Sequence, residues 1–222
     1  MVTTSRWRAL NLSIAVAAAL AVPWSASAHV PSVSQAQPST PETAILLEDP
    51  TLSRAIGATI AEPGEVDWYR MDLTAGDPLV VGMTAPDAVG SLPATFVLLG
   101  PGLTEAAAAG PLVTALAAEA GATGAMVFLP AVQPEREIHA GLGFLNYGMV
   151  DLVAPVDGTY WIVVTAVDPT ATGKYVLAPG VREEFGPDAF AGMVDLTGFF
   201  DAPWPPATEA SMPPAEASMP PE

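Results

Sequence analysis

The sequence predicts an all-β domain: an antiparallel two-sheet β-sandwich of jelly-roll-like character. Three observations carry that expectation. The apolar residues between residues 43 and 185 come in short runs, many with a period of two. The runs are bounded by Gly, Pro and Asp. Turn signals recur about every ten residues, with no helix–strand alternation of the kind that builds a parallel sheet.

In chain order, residues 1–28 read as an export signal. Arg6 and Arg8 form a basic start, "ALNLSIAVAAALAVP" an apolar stretch, and Ala26-Ser27-Ala28 the small residues that precede cleavage. The apolar stretch is too short, and too soon broken by Pro23, to span a bilayer. A secreted or extracytoplasmic chain starting at His29 is expected, with no membrane span after cleavage. Residues 29–42, "HVPSVSQAQPSTPE", have no apolar period and read as a disordered, extended linker.

Nine strands are expected in the domain at 43–185. They are "TAILLE" (43–48), "SRAIGATIA" (53–61), "VDWYRMDL" (66–73), "PLVVGMTA" (78–85), "ATFVLLG" (94–100), "AMVFLP" (125–130), "YGMVDLVA" (147–154), "TYWIVVTAV" (159–167) and "GKYVLAPG" (173–180). Turns at Pro63-Gly64, Gly76-Asp77-Pro78, Asp157-Gly158 and Asp168-Pro169 supply the fixed or positive φ that a reversal needs. "GPLVTALAAEAG" (110–121) is Ala- and Leu-rich and reads as either a short helix or a loop. Alternation places Tyr69, Met71 and Leu73 on the inner face, and likewise Tyr160, Ile162, Val164 and Ala166. Residues 186–222 hold a short apolar segment, in which Phe190, Met193, Leu196, Phe199 and Phe200 need burial, and then a disordered Pro-rich acidic tail. In that tail "EASMPPA" is followed at once by "EASMPPE".

Composition narrows the function classes. The chain has 24 acidic residues against seven Lys and Arg, a formal net charge of −17, and both leader arginines leave with the signal. Such a field repels nucleic acid and anionic lipid. It has no cysteine, so export brings no disulfides and the core alone must hold the fold.

"EPGEVDWYRMDLTAGDPLVV" and "APVDGTYWIVVTAVDPTATGKYVLAPG" resemble the pre-peptidase C-terminal type of secreted β-sandwich domain. Gly64, Asp67, Tyr69, Met71, Leu73 and Gly76 match its first motif stretch. Gly158, Tyr160, Ile162, Val164, Gly173, Tyr175 and Leu177 match its second. The resemblance covers roughly residues 53 to 180 and implies a secreted sandwich of a kind that commonly accompanies a catalytic domain and aids secretion or binds surfaces. The ending "GVREEF" (180–185) is similar to exported proteins in which the sandwich stands alone, for which the resemblance implies no settled activity. Its motifs are turn and core positions, so they speak to fold.

Candidate chemistry is sparse. Only two histidines are present, His29 and His139. A histidine at a mature N-terminus offers its α-amino and ring nitrogens as a chelate, and a second imidazole completes a three-nitrogen set suited to copper. Calcium has oxygen donors in the turn acids Asp67, Asp157 and Asp168, which also serve as ordinary turn formers. Trp68 and Trp161 point away from the inner face. They read either as a platform for sugar or peptide groups or as residues covered by the 101–124 or 186–200 segment. Nucleophilic catalysis would have to pair His139 with Ser53 or Ser91, and no G-x-S-x-G elbow is present.

The expectation is therefore an exported, non-catalytic module that binds an extracytoplasmic protein or polysaccharide. Copper binding through His29 and His139 is the first alternative, and a secreted hydrolase the second.

Overall fold

The computed structural model describes residues 29–104, 110–139, 141–184 and 186–205. The signal (1–28) and the Pro-rich tail from residue 206 onwards lie outside the described residues. Eleven strands appear among them: β1 Val30–Val33, β2 Ile45–Leu46, β3 Arg54–Ile60, β4 Val66–Leu73, β5 Pro78–Pro86, β6 Ala94–Leu99, β7 Ala125–Val127, β8 Glu135–His139, β9 Leu142–Val153, β10 Gly158–Ala166 and β11 Gly173–Pro179. Two helices join them, α1 Pro111–Ala120 and α2 Pro187–Asp201.

The strands form two sheets, β1-β3-β11-β5-β9-β8 and β2-β4-β10-β6-β7. The period-two residues meet between them. Tyr69, Met71, Leu73, Phe96, Leu98, Tyr160, Ile162 and Val164 of the five-stranded sheet join Ile56, Ile60, Leu79, Val81, Met83, Tyr175 and Leu177 of the six-stranded one in a single core. Most of these side chains are wholly shielded from water. Burying each large one is worth about 1.5–3 kcal/mol, which suffices for a fold without cross-links.

Three expectations change. Residues 29–42 are not a free linker: β1 pairs with β3, and the Trp68 N–H donates to the Pro38 carbonyl at 2.7 Å. A Pro-containing run can do this because Val30 and Ser34 N–H groups donate to Ser53 and Gly57 carbonyls, leaving Pro31 with its missing donor on the open edge. The sheets are not wholly antiparallel, since β1 with β3 and β2 with β4 run parallel at the two edges. Finally, β8 is an additional strand. Its "EREIH" sequence is charged, as an edge strand tolerates and a buried one does not.

Both outer faces carry a helix. Helix α1 starts at Pro111 and ends at Gly121, whose left-handed backbone (φ 61°, ψ 24°) lets the closing N–H groups return to Ala117 and Ala118. Its Val113 and Leu116, three residues apart, pack with Trp68, Val97, Leu99 and Val163. Helix α2 lies on the six-stranded sheet, where Leu196, Phe199 and Phe200 cover Ala55, Val176 and Phe144. Gly57 permits that approach, because a Cβ there would sit 2.9 Å from Phe199. Lys174, 2% exposed, closes the helix by donating to the carbonyls of Phe199 (2.6 Å) and Ala202, with its ammonium 5.2 Å from the Phe199 ring centre.

Candidate functional site

The two histidines come from distant parts of the chain. His29 immediately precedes β1, and His139 ends β8, the strand at the other end of the sheet order. Twist of roughly 20° per strand accumulates over six strands. A bulge adds to it: Tyr147 is the extra residue between Met83↔Gly148 and Thr84↔Asn146, with Gly148 at φ 108°. Beyond the bulge Phe144 packs edge-on against Phe200 of α2 (5.0 Å between centroids), and His139 packs edge-on against Phe144 (5.7 Å). Helix α2 also touches β1, where Gly192 meets the Pro31 carbonyl so closely that no Cβ would fit. One helix therefore supports both the strand that carries His29 and the aromatic stack beneath His139.

The result is a shared electrostatic neighbourhood. Burial is the main cause that lowers the His29 pKa, and the charge of His139 lowers it further, while Glu183 and Glu137 pull the other way. His29 in turn acts on Glu137, whose carboxyl is held below its usual range chiefly by the hydrogen bonds from His139 and Asn146. A neutral imidazole is the form that offers a lone pair to a cation.

Each ring has one nitrogen fixed by a neighbour. His29 Nδ1 lies 2.5 Å from the hydroxyl of Ser53, itself 3% exposed. His139 Nε2 lies 2.8 Å from Glu137 Oε2. Asn146 Nδ2 donates to Glu137 Oε1 at 2.8 Å, and Asn146 Oδ1 accepts the Gly148 N–H. Neither His29 Nε2 nor His139 Nδ1 has a hydrogen-bond partner among the described residues. Ser53, Glu137, Asn146 and Glu183 are not marked as ligand-site residues by the sequence. The available signal was parity, since Glu137 is two residues before His139 on one strand and shares its face.

The remaining sequence candidates separate. Asp157 and Asp168 flank opposite ends of β10: Asp157 accepts the Ala75 N–H at 2.8 Å, and Asp168 accepts the Thr170 N–H and hydroxyl. Asp67 does not bond turn amides. Only 2% exposed, it accepts the Tyr175 hydroxyl at 2.6 Å between the sheets, and Tyr175 meets Tyr69 at 2.8 Å. The three acids thus form no calcium site, and no group of three or more His, Asp or Glu side chains converges on a cation position among the described residues. Trp68 is fully buried and Trp161 partly buried under α1, so they are no stacking platform. Ser53 pairs with His29 rather than His139, and its burial leaves no approach for a substrate. An open cleft between residues 37–39 and the 62–65 turn is lined by Glu62 and Glu65, but Glu65 is spent on the N–H groups of Ala61 and Glu62.

No known family and no curated protein matches the chain. Solved structures with a shallow likeness include PliG of Aeromonas hydrophila, a periplasmic inhibitor of g-type lysozyme (TM-score 0.37, 15% identity, 63% of this chain and 96% of that one). PliG of Salmonella Typhimurium gives 0.35, 15%, 62% and 97%. CorA, a surface-associated copper-binding protein of Methylomicrobium album BG8, gives 0.34, 14%, 63% and 98%. Likeness at this level assigns no residue and no ligand to the chain. Among the described residues no helix is long and apolar enough to cross a membrane.

Proposed function

We propose that the chain is an exported, non-catalytic β-sandwich module that binds a copper ion through His29 and His139. One observation carries the reading. The two histidines, 110 positions apart in sequence, are both held by α2, one through β1 and the other through the Phe144–Phe200 stack, and each has one ring nitrogen tethered and the other open. Tethering of this kind is the usual setting of a ligating imidazole, because it fixes ring orientation and tautomer before the ion arrives. Imidazole pairs suit copper, and a chain of net charge −17 draws cations. A binding role is favoured over hydrolysis because Ser53 is buried and its hydroxyl is engaged by His29. The motif stretches that resemble the pre-peptidase C-terminal type remain our proposal for kinship of the fold.

The test is a copper titration of the mature chain, with its N-terminus verified by mass spectrometry, against His29→Ala and His139→Ala. Each substitution is expected to weaken binding at least tenfold. Equal binding by all three chains would refute the proposal.

A further inference from the structure

A mature N-terminal histidine can chelate through its amine and its own Nδ1, closing a six-membered ring, but the structure points elsewhere. Here Nδ1 of His29 faces the Ser53 hydroxyl at 2.5 Å, and the open nitrogen is Nε2, on the far edge of the imidazole, where the amine of the same residue cannot share its ion. His139 is tethered in the reverse sense, with Nε2 on Glu137 and Nδ1 open.

The tether on His139 has a direction. Glu137 receives Asn146 Nδ2 on Oε1 and faces His139 with Oε2. Asn146 cannot turn its amide, because its own oxygen accepts the Gly148 N–H at 2.8 Å. An ionised carboxylate only accepts hydrogen bonds, so Nε2 carries a proton, and in the neutral ring it is Nδ1 that holds the lone pair. The bulge that turns β9 also supplies the Gly148 N–H, so the backbone irregularity and the tautomer belong to one arrangement.

Resting on the copper reading above, we infer that the donor atoms are Nε2 of His29 and Nδ1 of His139. Ser53, Glu137 and Asn146 are positioning residues, and the N-terminal amine lies outside the site. It follows that the site works whether or not His29 is the first residue of the chain.

Four chains test this beside the wild-type mature protein: one with a glycine added before His29, Glu137→Gln, Ser53→Ala, and Ser53→Thr as its conservative partner. Copper(II) affinity is measured by titration, and the His139 tautomer in the metal-free protein by long-range nitrogen-15 NMR at neutral pH. The glycine extension is expected to leave affinity unchanged. Glutamine has one acceptor where glutamate has two. With Asn146 still donating, its NH2 faces His139 and drives the proton to Nδ1. Glu137→Gln should therefore move the tautomer and weaken binding roughly 10- to 100-fold. Ser53→Ala should weaken it and Ser53→Thr restore it.

Loss of binding on glycine extension, with His139→Ala also inactive, would establish the amine as a donor. That overturns this inference and leaves the copper reading standing. An unmoved tautomer and affinity in Glu137→Gln would overturn the positioning role. A wild-type chain that binds no copper would overturn both.

Discussion

Asp67 gives the sharpest quantitative prediction. It sits 2% exposed between the sheets, with Oδ2 receiving the Tyr175 hydroxyl and Oδ1 without a partner among the described residues. Burial, the dominant cause, pushes its pKa up from 3.8 to about 6; the Tyr175 hydrogen bond opposes the rise and Glu65 adds to it. The folded state therefore holds this proton more tightly than the unfolded state does. Stability from this group is fully present below about pH 4, declines as pH rises toward about 6, and is then lost. A rise from 3.8 to about 6 corresponds to roughly 3 kcal/mol over the full titration.

Asp67→Asn removes the titration while keeping the shape. Urea unfolding of both chains from pH 4 to pH 8 measures the effect, and subtracting the curves cancels the other carboxylates. The stability of the wild type relative to the Asp67→Asn variant should fall by about 2.5 kcal/mol across that window, which opens just above the unfolded pKa of 3.8. The mutant amide brings a donor that needs an acceptor, which offsets the whole difference curve by about 1–3 kcal/mol without changing its slope. A difference that stays flat with pH would refute the assignment of Asp67 as a buried carboxyl with no compensating positive charge.

Three further outcomes follow from the helices. Lys174→Met strands the carbonyls of Phe199 and Ala202 and should cost about 2–3 kcal/mol, read as lower thermal stability and faster amide exchange in α2. Gly192→Ala forces a Cβ into the Pro31 carbonyl, so α2 and β1 must separate. A cost of about 1–3 kcal/mol is expected, together with weaker copper binding, since β1 positions His29. Leu116→Ala opens the layer over Trp68 and should cost about 2–4 kcal/mol with a red shift in tryptophan emission; unchanged emission would contradict the packing of α1.

The fold was legible where burial enforces a pattern. Each of the nine expected strands has a counterpart, because inner-face residues such as Tyr69, Met71, Ile162 and Val164 must alternate to reach the core. β1 and β8 carry no such mark, because edge strands are held by backbone bonds, which polar and Pro-containing sequences make as readily as apolar ones. In the 186–200 segment, Leu196 and Phe200 are buried four residues apart, whereas Phe190 is 77% exposed on another part of the helix. Parity in β4 puts Asp67 with Tyr69 and Met71, against its reading as a turn acid, but its core partner Tyr175 lies 108 positions away.

The candidate site was legible as residue types and not as atoms. The scarcity of histidines marked His29 and His139. The support that α2 gives both to β1 and to the aromatic stack under His139 depends on the bulge at Tyr147 and the seat of the helix, neither of which is a local property of sequence. The same holds for the Ser53 and Glu137 tethers, on which the proposed donor atoms rest.

We propose one copper site built from two histidines. A double-mutant cycle on copper affinity with His29→Ala, His139→Ala and the combined variant tests it most directly. With both imidazoles on one ion, either single substitution loses nearly as much affinity as the pair. Small losses that simply add would show two independent surface imidazoles and contradict it.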